Sequence, residues 1–123
     1  MNHFLSILRH CDVLLNSAST LSLDAAAVGA PTILIKFDGY KKMPKRASGT
    51  RWYVCDYLDE LMSFNPALSA YSVESLRKSI NTLLDNPKLL EQNQKELHKR
   101  LCPYMDGKAG ERLFQTIYKY VTK

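Results

Sequence analysis

Residues 13–37 run VLLNSASTLSLDAAAVGAPTILIKF: two apolar stretches separated by a block of small residues. Val13-Leu14-Leu15-Asn16 is short, aliphatic and bounded by polar residues, as a buried strand is. It ends in the polar turn Asn16-Ser17-Ala18-Ser19-Thr20. Leu21–Val28 is small and apolar and predicts a helix meant for close packing, with Gly29 ending it because glycine accepts the left-handed backbone of a helix C-terminus. Pro31 follows, then Thr32-Ile33-Leu34-Ile35-Lys36-Phe37. A nearly unbroken β-branched and aliphatic run is the pattern of a parallel strand covered on both faces. Strand, helix and strand at this spacing form a βαβ crossover, right-handed by the general rule.

Outward from this unit, Phe4, Leu5 and Leu8 recur at helical spacing and predict an opening helix of about two turns. On the other side, Asp38-Gly39 turns the chain into a loop containing Pro44 and Gly49. Trp52–Met62 has no single period, with a helix expected over Tyr57–Ser63, and Ala67–Tyr71 reads as a short third strand. Ser72 caps an amphipathic helix whose apolar face is Val73, Leu76, Ile80, Leu83 and Leu84. Asn86-Pro87 starts another helix with proline at its first position, carrying Leu90, Leu97 and Leu101 and broken at Cys102-Pro103. A last helix is expected from about Lys108 to Val121, with Leu113, Phe114, Ile117, Tyr118 and Val121 facing inward. The expected class is α/β: a partial Rossmann-like, three-layer parallel sheet of about three strands with a helical C-terminal end. The 123 residues allow one domain, 1–123. So thin a sheet, entered through a helix, is expected of a piece of a larger protein or of one half of a two-chain assembly.

Charge is concentrated rather than spread. The chain carries a net +5. Residues 36–51 hold six bases (Lys36, Lys41, Lys42, Lys45, Arg46, Arg51) and one acid, Asp38, so this one segment accounts for the whole surplus. Such a loop can meet a phosphate, an anionic membrane or an acidic partner, and it equally fits a solvated loop. Its few aromatics, Tyr40, Trp52 and Tyr53, argue against single-stranded nucleic acid. Cys11, Cys55 and Cys102 form no Cys-x-x-Cys pair, so zinc and dithiol chemistry lack support and a reducing compartment is the simpler reading. His3, His10 and His98 have no acids at ligand spacing. Asp56, Asp59 and Glu60 cluster without an Asp-x-Asp, so no metal and no cofactor are expected. The apolar runs fall short of the ~18 residues of a membrane span, and the opening Met1-Asn2-His3-Phe4 lacks a signal-peptide start.

The chemistry is expected where the first strand meets the small-residue helix. Ligands bind open α/β sheets at the carboxyl ends of their strands. Free amides and the positive end of a helix dipole suit a phosphate there. Ser17, Ala18 and Ser19 are small enough to let it reach the backbone. Asp24, one turn on, can accept the two hydroxyls of an attached ribose. The same residues also read as an ordinary helix start, with Ser19 or Thr20 as a cap and Asp24 as a first-turn acid.

Asn16-x-x-Ser19-Thr20, Asp24-Ala25 and Gly29-Ala30-Pro31, with Phe37-Asp38-Gly39 and Asp106-Gly107-Lys108-Ala109-Gly110-Glu111-Arg112, resemble the donor-binding C-terminal half of GT-B glycosyltransferases. Among these the pattern is most similar to bacterial surface-polysaccharide transferases, including the CDP-glycerol glycerophosphotransferase-like group. It runs from about His3 to Val121, with Asp24 where the family more often has Glu. The resemblance implies that the amides of Ser19 and Thr20 hold the donor's diphosphate, that Ser17 and Ala18 line the turn, and that Asp24 holds the ribose. It also implies that the strand carrying the base-binding loop, and the acceptor-activating half, lie outside these residues. No catalytic residue is therefore assigned.

Two further readings differ in class. One is a non-catalytic interaction module, or a subunit pairing with a separate acceptor-binding half or with its own copy. The other is a nucleotide-sugar epimerase, for which the acids and bases needed at the sugar are not identifiable. The expected partners are a nucleotide-activated sugar or glycerol donor, no nucleic acid, and an anionic membrane met through the 41–51 loop. The expected place is the cytoplasm, at the inner face of the membrane.

Overall fold

The computed structural model describes residues 2–122. Six helices and three strands alternate in the order α1 (Asn2–His10), β1 (Leu14–Asn16), α2 (Leu21–Val28), β2 (Thr32–Ile35), α3 (Asp56–Ser63), β3 (Leu68–Ala70), α4 (Val73–Asp85), α5 (Glu91–Leu101) and α6 (Ala109–Val121). A 3-10 turn, Gly49–Tyr53, lies between β2 and α3. The sheet is parallel with order β1-β2-β3. Leu15 pairs with Ile33, and Ile33 with Leu68, so β2 is central.

The α2 helix ends as its sequence demands. Gly29 sits at φ 74°, left-handed, and the Ala30 amide closes onto the Ala25 carbonyl at 2.9 Å. Small residues at 25 and 26 bring α2 close to the sheet and to α5; Ala25 is fully buried. Successive side chains of β2 point to opposite faces. Ile33 joins Ala70, Leu83 and Leu90, with Leu76 and Ile80 of α4 packed against them. A second core of Ala26, Leu61 and Leu97 is formed by α2, α3 and α5, with Leu23, Tyr57 and Leu101 against it. Helices on both faces of a parallel sheet give the three-layer, partly Rossmann-like arrangement expected. Buried Gln94 ties the layers, its Nε2 donating to Ala30 O at 2.8 Å and Pro66 O at 3.3 Å. At α4 the Ser72 hydroxyl accepts from the Ser75 amide at 3.1 Å and the Ser75 hydroxyl from the Ser72 amide at 2.8 Å, a reciprocal cap.

Three expectations are corrected. Pro87 does not open α5: residues 87–90 form turns, with Leu89 N bonded to Asn86 O and Glu91 N to Lys88 O. That turn drops Leu90 into the α4 core before the helix begins at Glu91. The buried face of α4 is narrower than its periodicity implied, because Val73 and Leu84 are exposed. The largest difference is α6. Leu113, Phe114, Ile117, Tyr118 and Val121, expected inward, are 52–76% exposed, and α6 buries none of its residues. Helical periodicity reports that a face is apolar, not that something covers it.

Candidate functional site

β1 and β2 are parallel neighbours with Asn16 beside Leu34. The segments leaving them, 17–20 and 36–48, therefore emerge at the same carboxyl edge of the sheet. The first of these is fixed by Asn16. This residue is buried, and its Nδ2 donates to the Ser22 hydroxyl, also buried, at 3.0 Å. The bond clamps the first turn of α2 onto the end of β1. Ser19 Oγ accepts from the Leu21 amide at 3.1 Å, and the Ser22 and Leu23 amides bond the Ser19 and Thr20 carbonyls. Thr20 occupies the cap position in helical geometry, and its hydroxyl caps nothing. The ordinary helix-start reading is thus met by the Ser19 side chain, not by Thr20. The amides of Ser17, Ala18, Ser19 and Thr20 have no acceptor among the described residues. Four consecutive unbonded donors thus precede α2, whose own first amides at Leu21, Ser22 and Leu23 are bonded within the turn.

Asp24 is exposed one turn further on. The ion pairs among the described residues are Lys95–Glu91 and Arg112–Asp106, so its carboxylate has no cationic partner. Tyr57 of α3 is its unforeseen neighbour. Burial raises the Tyr57 phenol above its ordinary pKa, and electrostatic repulsion from Cys102, Asp24 and Cys55 adds to that. The Tyr57 hydroxyl and His98 Nε2 are buried atoms without a hydrogen-bond partner among the described residues. No sequence pattern signalled the burial of Tyr57, which packs against the core shared by α2, α3 and α5.

The second segment, the basic loop, is held at its base. Asp38 Oδ1 accepts from the Ser48 hydroxyl and the Gly49 amide, both at 2.9 Å. The Ser48 hydrogen bond, with help from the Gly49 amide, holds the Asp38 pKa below its ordinary value. The Tyr53 hydroxyl donates to Ile35 O at 2.8 Å, and burial pushes its pKa up to about 12. Lys36 Nζ lies 5.1 Å from the Tyr53 ring centroid and 5.8 Å from that of Tyr71. A recess of about 400 Å³ lies instead at the other end of α2, beside Gly29, Pro87 and Gln94. There the helix dipole presents its negative end, which opposes a phosphate. The Ser17–Asp24 segment lies at the end of α2 with the favourable sign and carries the unbonded amides of residues 17–20. Among the described residues no three His, Cys, Asp or Glu side chains converge as a metal site.

No protein-family model, no curated protein and no solved structure matches this chain. The site is therefore read from its own chemistry.

The Asp106–Arg112 motif is structural in this fold. Asp106 accepts from the Lys108 amide at 3.1 Å and from both terminal nitrogens of Arg112 at 2.8 and 2.9 Å. Arg112 also lies over the Tyr104 ring, 4.7 Å from its centroid. These bonds, with the Arg112 hydrogen bonds first, hold the Asp106 pKa down at about 2. An unfolded Asp titrates near ~3.9, so the pair's stabilising effect is present above about pH 4 and is lost as pH falls through about 2. We expect the Asp106 carboxyl shift, followed by NMR, to have its midpoint near 2 in the wild type, and nearer ~4 in Arg112→Ala. An unchanged midpoint in the variant would show that Arg112 does not set it.

Proposed function

We propose that this chain is the donor-nucleotide-binding part of a transferase moving a sugar or polyol phosphate from an activated nucleotide to a surface-polysaccharide acceptor. The observation that carries the reading is the run of four unbonded amides at Ser17–Thr20, at the carboxyl edge of a parallel sheet. In the reaction an acceptor hydroxyl attacks the activated sugar or glycerol phosphate, and the nucleotide leaves. This chain's residues bind and stabilise charge: the Ser19 and Thr20 amides neutralise the leaving diphosphate, Ser17 and Ala18 keep the approach open, and Asp24 orients the ribose. Asn16, through Ser22, holds the turn in place. The proposed place of action is the cytoplasm at the inner face of the membrane. Among the described residues no helix is long and apolar enough to cross a membrane.

A second reading has its own support. The exposed apolar side of α6 favours a subunit or interaction module that pairs with a separate acceptor-binding half, or with another copy. The two readings are compatible if the partner supplies the rest of the site.

The test is a thermal-shift and ligand-observed NMR panel of CDP, UDP, GDP and ADP, run without metal on wild type and Asp24→Ala. One nucleotide at ~100-fold its Kd should stabilise the wild type by about 2.7 kcal/mol. Hydrogen bonds to a charged group contribute about 1.5–3 kcal/mol, so Asp24→Ala should weaken binding at least ~tenfold. Unchanged affinity in the variant would remove Asp24 from the site. Silence from every nucleotide would favour the interaction module.

A further inference from the structure

Residues 39–55 contain five cations and no acid. The loop they form is organised: the Ala47 and Ser48 amides both bond Pro44 O, Asp38 ties down Ser48 and Gly49, and Tyr53 ties the far end to β2. Lys41, Lys42, Lys45 and Arg46 are all exposed. None of the five cations forms an ion pair among the described residues, so each keeps its charge uncompensated. The same segment carries exposed apolar and amphipathic groups, and Val54 borders one recess with Lys42, Lys45 and Arg51. Tyr40 is 95% exposed, Trp52 60% and Val54 87%.

Bases interleaved with outward aromatic and aliphatic groups match the interface of an anionic bilayer. Phosphates lie at one level of that interface, and amphipathic rings are accepted just beneath. A single-stranded nucleic acid stacks its bases on a series of free ring faces; in this loop cations already lie over Trp52 and Tyr53, and Tyr40 is the loop's one ring without such a cation among the described residues. Arg51 lies 4.4 Å over Trp52, and Lys36 lies over Tyr53 and Tyr71. We infer that the 39–54 loop is a membrane-surface anchor: Lys41, Lys42, Lys45 and Arg46 pair with anionic lipid phosphates, while Trp52 and Val54 seat at the headgroup boundary. This deepens, and rests on, the inner-face placement proposed above, and it is independent of the nucleotide site. Nucleotide binding is measured in lipid-free solution, so the two ideas fail separately.

Trp52 is the chain's single tryptophan, so its fluorescence reports the loop directly. The chain is titrated with vesicles of phosphatidylcholine containing phosphatidylglycerol, with vesicles of phosphatidylcholine alone, and with a single-stranded oligonucleotide. Expected are a blue shift and co-sedimentation on the anionic vesicles only, both reversed by added salt. Each base removed should weaken binding about fivefold, so Lys41→Gln with Lys42→Gln should lose about 25-fold. Trp52→Ala, followed by sedimentation, should also bind more weakly. Equal binding to both vesicles, no binding to either, or tighter binding to the oligonucleotide would each overturn the proposal. The salt dependence of the wild type tests it without any variant.

Discussion

Ile33→Ala is expected to lower the unfolding free energy by about 2–5 kcal/mol, the usual cost of truncating a large side chain in a packed core. Ile33 is fully buried in the central strand, paired on one side with Leu15 and on the other with Leu68. Its side chain meets Ala70 of β3, Leu83 of α4 and Leu90 of the turn before α5. These groups belong to separate elements joined to a short sheet, so the structure has little freedom to collapse into the space left. Domains of this size are stable by only about 5–15 kcal/mol, and the loss is therefore a large fraction of the whole. Urea unfolding followed by circular dichroism measures it. The matched control is Leu113→Ala on α6, whose side chain is exposed. It should change stability by no more than ~0.5 kcal/mol. A cost for Leu113 comparable to that for Ile33 would mean that the apolar side of α6 is covered in solution.

Asn16→Ala should affect stability and ligand binding together. The Asn16–Ser22 hydrogen bond is buried at both ends, and removing Asn16 leaves the Ser22 hydroxyl without that partner. The expected cost is about 1–3 kcal/mol. The bond also sets where α2 begins relative to β1, and so where the Ser17–Thr20 amides point. Nucleotide affinity should therefore fall in Asn16→Ala although no proposed ligand contact is deleted. Ser22→Ala should give a similar loss. The double variant should lose less than the sum of the two, by a coupling of ~0.5–3 kcal/mol. Additive losses would show that the two side chains act separately, and unchanged affinity would free the turn from the clamp.

Much of this architecture was legible before any coordinates. The limits of α2, the parallel strands at residues 14–16 and 32–35, and the Ser72 cap follow from local rules. A glycine that must turn left-handed, an aliphatic run without polar breaks and a hydroxyl before an apolar period each act within a few residues. The Ser17–Thr20 stretch was legible as the turn between strand and helix for the same reason, since small hydroxyl residues favour turns and helix starts. The Asn16–Ser22 clamp spans only six residues, yet it was not legible. It depends on both side chains being turned into the same buried space.

Longer-range features were decided by packing. Tyr57 stands near Asp24 because α3 and α2 share one core. Asp38 meets Ser48, and Tyr53 meets Ile35, because the loop folds back on the strand it left. Composition specified only that this loop is basic. For α6 the sequence determined an amphipathic helix, and the tertiary structure left its apolar side uncovered. Periodicity, caps and charge are properties of neighbouring residues and can be read from their order. Burial requires a complementary surface from elsewhere in the chain, and that is a property only of the assembled fold.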